Sequence, residues 1–151
     1  MATDRSYVTT NKVELARLKS LVARLSDAEL SRPMPAGWTV AGVLGHLALW
    51  DQRIVALIDA WGFDGRGSAP PQIDEASVDW INDASKPLCL GLLPREAARI
   101  AVETAEAADH RVANLSDAAL AANAAAGSPI GLLRATHRRE HLEEIEKALA
   151  E

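Results

Sequence analysis

His137 and His141 stand four positions apart in THRREHLEEIEKALAE, a charged segment rich in helix formers. Residues i and i+4 lie one above the other on a helix face, so both imidazoles can reach one metal ion. A third histidine, His46, sits in GWTVAGVLGHLALWD. It shares the apolar stripe of Val43, Leu47 and Trp50, while His137 and His141 fall on a line with Ile130, Leu133, Ile145 and Ala148. All three are expected to face the interior of a helical fold. The fourth, His110, lies about 180° around its helix from Ala101, on the solvent side, and receives no role.

A single interior imidazole satisfies its two ring nitrogens with a carbonyl or a carboxylate. Three imidazoles gathered without a metal would desolvate several polar rings for no return. Three histidines with an open fourth position are an arrangement used by catalytic zinc. Zinc is the first expectation for the ion, with nickel or iron as alternatives, because imidazole suits them all.

HRREH also reads as H-x-x-E-H, an inverted zinc-protease signature in which Glu140 would be the general base. Only three positions of that short match are specified, in a segment rich in glutamate. Arg138 occupies the place that H-E-x-x-H reserves for glutamate. The natural third ligand is upstream, at His46.

Four segments carry the periodicity of amphipathic helices. The first runs from about Asn11 to Leu25, with Leu15, Leu18, Val22 and Leu25 as its stripe. LSDAELSRPMPAG then marks a turn region. The second follows Thr39 as N-cap and presents Val43, Leu47, Trp50, Ile54, Leu57 and Trp61. GFDGRGSAPPQ must be a loop, and a short helical piece is expected around Ile73 to Asn82.

The third long helix starts near Pro94, with Ala101, Ala105, Ala108, Val112 and Leu115 inward. The fourth is expected to open at GSPIGLL, with Ser128 as N-cap and Pro129 in the first turn. LSDAEL and LSDAAL read as equivalent helix-ending turns. No segment alternates with period two, so no strands are expected. The expectation is an all-α, antiparallel up-down four-helix bundle in a single domain, with a longer central connection.

At 151 residues the chain is long enough for a proper core, and 48% apolar with 25% charged residues is a globular composition. A net charge of −5 leaves no basic footprint for nucleic acid. One cysteine, Cys89, excludes an internal disulfide and suits a reducing cytosol. The polar N-terminus lacks a signal-peptide core, and no apolar run approaches the ~20 residues of a membrane helix. A cytoplasmic location without membrane contact is therefore expected.

GWTVAGVLGHLALWD resembles the second-helix signature of the DinB/YfiT-like superfamily, where Trp and Ser or Thr precede a helix bearing a metal histidine. SPIGLLRATHRREHLEEI resembles that superfamily's last helix, with its H-x-x-x-H pair. The nearest likeness is to proteins resembling the N-terminal domain of mycothiol-dependent maleylpyruvate isomerase. The resemblance implies a four-helix bundle and a divalent metal held by His46, His137 and His141. It also implies thiol-dependent transfer or isomerisation, or else hydrolysis, and a frequent homodimer. Glu144 departs from the Gln common there, and the chain lacks the isomerase's further C-terminal domain.

Glu144, three after His141, and Asp51 are candidates to orient a metal-bound imidazole. Glu140 and Glu144 are the candidate catalytic carboxylates. Trp50, one turn past His46, is a candidate wall for a small-molecule substrate. Arg53 and Arg134 are candidates to clamp a carboxylate of that substrate or of a low-molecular-weight thiol cosubstrate. Trp38 and Trp61 read as core, and Cys89 as apolar filler. The two function classes are a metal-dependent enzyme and a non-catalytic metal-binding or interaction protein. An open metal face beside a cavity roofed by residues 62–93 separates the first from the second.

Overall fold

A computed structural model describes residues 2–151. Its long helices are α1 (Ser6–Arg24), α3 (Val40–Trp61), α4 (Glu75–Gly91), α5 (Pro94–Ala113) and α7 (Ala135–Ala150). Two shorter ones, α2 (Asp27–Leu30) and α6 (Asp117–Ala125), sit in the connections. The fold is all-α, as the periodicity requires. A two-stranded antiparallel hairpin, β1 (Pro33–Met34) and β2 (Trp38–Thr39), is the one element of extended pairing among the described residues.

Side-chain pairings give the helix directions. Tyr7 bonds to Val112 and Lys19 pairs with Glu106, so α1 and α5 run antiparallel. Glu14 pairs with Arg139 and Arg17 with Glu146, so α1 and α7 run parallel. His46 meets His141 while Asp51 meets Arg134, so α3 and α7 run antiparallel. The up-down alternation holds along the chain once α4 is counted among the long helices. Trp50 bonds to Asn82, and Gly45 packs on Cys89, which sets α4 antiparallel to α3. α1, α3, α5 and α7 form the core bundle, and α4 lies outside it against α3.

Two apolar clusters fill the bundle. One gathers Leu18 and Leu21 of α1, Val40 to Leu47 of α3, Ala97 to Ala105 of α5, and Leu142 and Ile145 of α7. The other joins Tyr7, Ile54, Ile58, Trp61, Val112, Leu120 and Ile130 at the opposite end. Alanines at 97, 98, 101, 105 and 108 are all buried, and their small side chains let α5 lie close to α3. α3 is long and apolar enough, by length and composition, to cross a membrane, contrary to the expectation from sequence. Sixty-one per cent of that stretch is buried inside the bundle, which accounts for its apolar character.

Several boundaries differ from expectation, each for a local reason. α4 is a 17-residue helix rather than a short piece, with Asp74 as its N-cap and Pro87 inside it. Proline removes one backbone donor and conceals the helix from a sequence reading. The stripe Val78, Asn82, Ser85 and Cys89 runs beneath it at steps of four, three and four. LSDAEL and LSDAAL are helix starts. The Ser26 hydroxyl accepts from Glu29 N at 3.1 Å, and Ser116 accepts from Ala119 N at 3.0 Å. Both are N-caps of the usual kind.

α7 starts at Ala135 and not at Ser128, which adopts a left-handed φ of 58°. Its cap comes from another helix. Asn11 of α1 is 1% exposed, and its Oδ1 accepts from Arg134 N at 2.8 Å and Ala135 N at 2.9 Å. Its Nδ2 donates to Leu132 O at 2.9 Å. One amide thus satisfies three backbone groups at the entry to α7, Leu132 O, Arg134 N and Ala135 N.

Asn11→Leu strands one buried donor, one partly buried donor and one partly buried acceptor, each worth roughly 1–3 kcal/mol when left unpaired. Urea unfolding should show a loss of at least about 2 kcal/mol. A loss within about 0.5 kcal/mol, typical of an ordinary surface substitution, would show that the cap carries no weight.

Candidate metal centre

α3 carries His46 and α7 carries His137 and His141, and the antiparallel crossing brings all three together. His46 Nε2 lies 3.0 Å from His137 Nε2, which lies 3.1 Å from His141 Nε2. The possible ligand nitrogens of the three residues all fall within 4.8 Å of one another. His110 is exposed and far from the cluster, as expected.

The histidines do not occupy the centre of α7's buried face. That stripe is Ala135, Arg138, Leu142 and Ile145, while His137 and His141 are half-buried beside it and Leu133 is exposed. Arg138, whose side chain is 1% exposed, pairs with Asp109 at 3.0 Å and Asp51 at 3.3 Å. Arg134 Nε donates to the other oxygen of Asp51 at 3.0 Å. Asp51 is therefore neither surface charge nor a histidine partner: it is buried between two arginines.

The donor set fits a divalent ion. Imidazole nitrogens at about 2.0–2.1 Å from one ion must lie roughly 3–3.4 Å apart, and the two Nε2 separations meet that. Burial, followed by the neighbouring His141, lowers the His46 pKa to about 4. Burial, followed by His141, His46 and two arginines, takes His137 to about 3. Both rings are neutral at pH 7 and keep lone pairs for a metal. His141 Nδ1 lies 2.8 Å from Glu144 Oε2, which fixes the proton on Nδ1 and frees Nε2. His46 Nδ1 is buried without a polar partner.

The triad lies on the wall of a cavity of about 1100 Å³. Trp38, Trp50 and Arg134 contribute to its walls, Glu144 and Lys147 to its α7 side. α4 roofs it with Val78, Asp79, Asn82, Asp83 and Lys86. No fourth His, Cys, Asp or Glu joins the cluster among the described residues.

The other sequence candidates divide. Glu144 and Trp50 line the cavity. Trp50 also donates from Nε1 to Asn82 Oδ1 at 2.9 Å, tying α3 to the roof. Arg134 lines the cavity, but its three nitrogens already serve Asp51, Trp50 O and Gly131 O. Arg53 is outside the lining, its guanidinium 5.6 Å from the Trp50 ring centre. Glu140 is exposed and outside the lining, so the inverted protease constellation does not assemble. Trp61 is buried core and Cys89 is a buried free thiol whose pKa burial raises. Trp38, read as core, does pack partly buried against the core cluster, and it is also a cavity wall beside His46, with ring centres 5.7 Å apart.

An all-helical bundle with three histidines converging from its second core helix and its last defines a candidate metalloprotein. Residues 12–145 match the DinB superfamily, and the chain belongs to it. That superfamily is metal-binding, in keeping with the three-histidine cluster. No curated protein and no solved structure matches the chain.

The depressed histidines give a signed pH dependence. Unfolded chains take up protons near pH 6.5, whereas folded His46 and His137 take them only near pH 4 and 3. Their contribution is complete above pH 6.5 and is lost as pH falls below it. Metal-free protein should lose on the order of 1–2 kcal/mol per ring between pH 7 and pH 5. Chemical denaturation across that range should show a shallower slope for His137→Gln. An equal slope in wild type and variant would contradict the assignment.

Proposed function

We propose that this chain is a metal-dependent enzyme of the thiol-dependent transferase or isomerase type, acting on a small molecule in the roofed cavity. The observation that carries this reading is the open side of the triad. Three nitrogens converge, no fourth protein donor joins them among the described residues, and the cavity begins where they end. His46, His137 and His141 are the metal ligands in this reading. The ion is zinc first, with nickel and iron as alternatives.

A divalent ion held there supplies Lewis acidity that lowers the pKa of a coordinated water or thiol towards neutrality. The residues do the rest. Glu144 keeps the proton of His141 on Nδ1 and aligns the ring. Trp38 and Trp50 give the cavity two indole walls that exclude water from an apolar substrate body. Arg134, locked against Asp51, presents a fixed positive edge rather than a free clamp. Asp79 and Asp83 line the roof without ion-pair partners among the described residues and are the carboxylates there free to act as a general base.

The thiol half of the proposal is supported by the likeness to maleylpyruvate-isomerase-type sequences and by the cavity, which has room for two reactants. A cytoplasmic location, where free thiols persist, fits a chain whose single cysteine is unpaired. Metal-dependent hydrolysis is the second reading, favoured by the roof carboxylates, which could activate water as readily as a thiol.

Protein purified without a metal-affinity tag should hold one divalent ion per chain by elemental analysis. His141→Ala should hold less than a tenth of that, and full occupancy in the variant would contradict the ligand assignment. Loaded protein screened with low-molecular-weight thiols and electrophiles should turn over only with thiol present, and chelation should abolish the rate. Turnover with water alone would favour the hydrolase. No turnover in either screen would leave metal binding without catalysis.

A further inference from the structure

The three histidines are not held alike. His141 has Glu144 on its outer nitrogen. His46 has nothing polar on Nδ1, although that atom is buried. When Nε2 serves a metal, Nδ1 carries the proton, so His46 brings a buried N–H with no oxygen or nitrogen to receive it. An N–H in that position costs free energy unless some other acceptor is present.

We propose that the indole of Trp38 is that acceptor and the positioning residue of His46. Trp38 is the one aromatic ring beside His46 outside the triad among the described residues. Its centre lies 5.7 Å from the imidazole centre, with the planes inclined at 65°. Both values fall in the range of edge-to-face aromatic pairs, and an N–H aimed at a π face is a weak hydrogen bond. The inference rests on the metal reading, because the metal decides which nitrogen is protonated.

The neighbourhood is arranged to seat the indole there. Gly42 stands one turn before His46, and a Cβ on it would come 3.3 Å from Trp38 Cε3 and 2.8 Å from Leu90 Cδ2. Glycine thus opens α3 for the ring to lie against it. The hairpin pairs Met34 with Trp38 around a turn in which Ala36 and Gly37 both take left-handed φ, 61° and 78°. Lys86 donates from Nζ to Ala36 O, and its ammonium lies 5.2 Å from the indole centre. Hairpin, glycine and lysine together leave the ring little freedom, and His46 receives the benefit.

The test is nuclear magnetic resonance of zinc-loaded protein labelled with ¹⁵N-histidine, together with zinc affinity by chelator competition. The Nδ1–H of His46 should exchange slowly and resonate upfield of the Nδ1–H of His141, because it sits in the indole ring current. Trp38→Leu should abolish that shift and weaken zinc binding about 10–100-fold, the usual cost of losing an orienting partner. Trp38→Phe, with a smaller π face, should fall between. The wild-type spectrum decides even if a variant folds poorly. Zinc bound through all three imidazoles with an ordinary His46 Nδ1–H would overturn the proposal alone. Failure of zinc to engage the three imidazoles would overturn it together with the metal reading.

Discussion

The site depends on how α3 and α7 are held in register, and that is the work of four charges, Asp51 and Arg138 buried and Arg134 and Asp109 partly so. Asp51 of α3 stands between Arg134, just before α7, and Arg138 within it, and Arg138 reaches on to Asp109 of α5. Two carboxylates and two guanidiniums cancel, so the cluster is neutral as a whole. Burying such pairs adds little net stability compared with apolar packing. It does discriminate: apolar faces tolerate a slip of one turn, whereas a slip here would strand charges in the core. Asp51 lies five residues from His46, and Arg134 and Arg138 flank His137. The same contact that fixes the register therefore fixes the meeting of the imidazoles. Arg138 remains firmly protonated, since its hydrogen bonds and opposing carboxylates more than offset the effect of burial.

Around that cluster the molecule separates support from access. α1 caps α7 through Asn11 and packs its apolar face into the core. On the other side α4 packs its C-terminal half on α3, Leu90 against Gly42 and Cys89 against Gly45, and spans the triad. It touches α3 through Trp50 and Asn82 and the hairpin through Lys86. A cavity between the core bundle and a single covering helix has the form of a site that small molecules enter. Its roof also exposes Trp80 and Leu88 on its outer side, so α4 is less fully covered than the core helices.

The bundle was legible because its four core helices obey their periods. Thr39 and Pro94 mark starts exactly as their chemistry requires, and the alanine stripe of α5 announces a close neighbour. The histidines were legible from local properties, the i, i+4 spacing of His137 and His141 and the place of His46 on the apolar stripe of α3, although the stripe expected for α7 was misplaced and its two histidines stand beside the buried face. What depended on distant partners was not. The start of α7 is set by an asparagine more than a hundred residues earlier, which no local signal near Ser128 betrays. Arg138 looks like any helix-surface arginine until Ala135, Leu142 and Ile145 are seen to share its stripe. The roof was hidden by Pro87, and the cavity-facing side of Trp38 was hidden because it depends on α4, far along the chain.

The central claim is that imidazoles from two helices bind one ion and leave its remaining face to the cavity. X-ray absorption at the zinc edge of loaded protein tests it most directly. Three imidazole ligands completed by light oxygen scatterers, with a sulfur at about 2.3 Å appearing only when a small thiol is added, is the result expected. Fewer than three imidazoles, or a sulfur present before any thiol is added, would contradict the account.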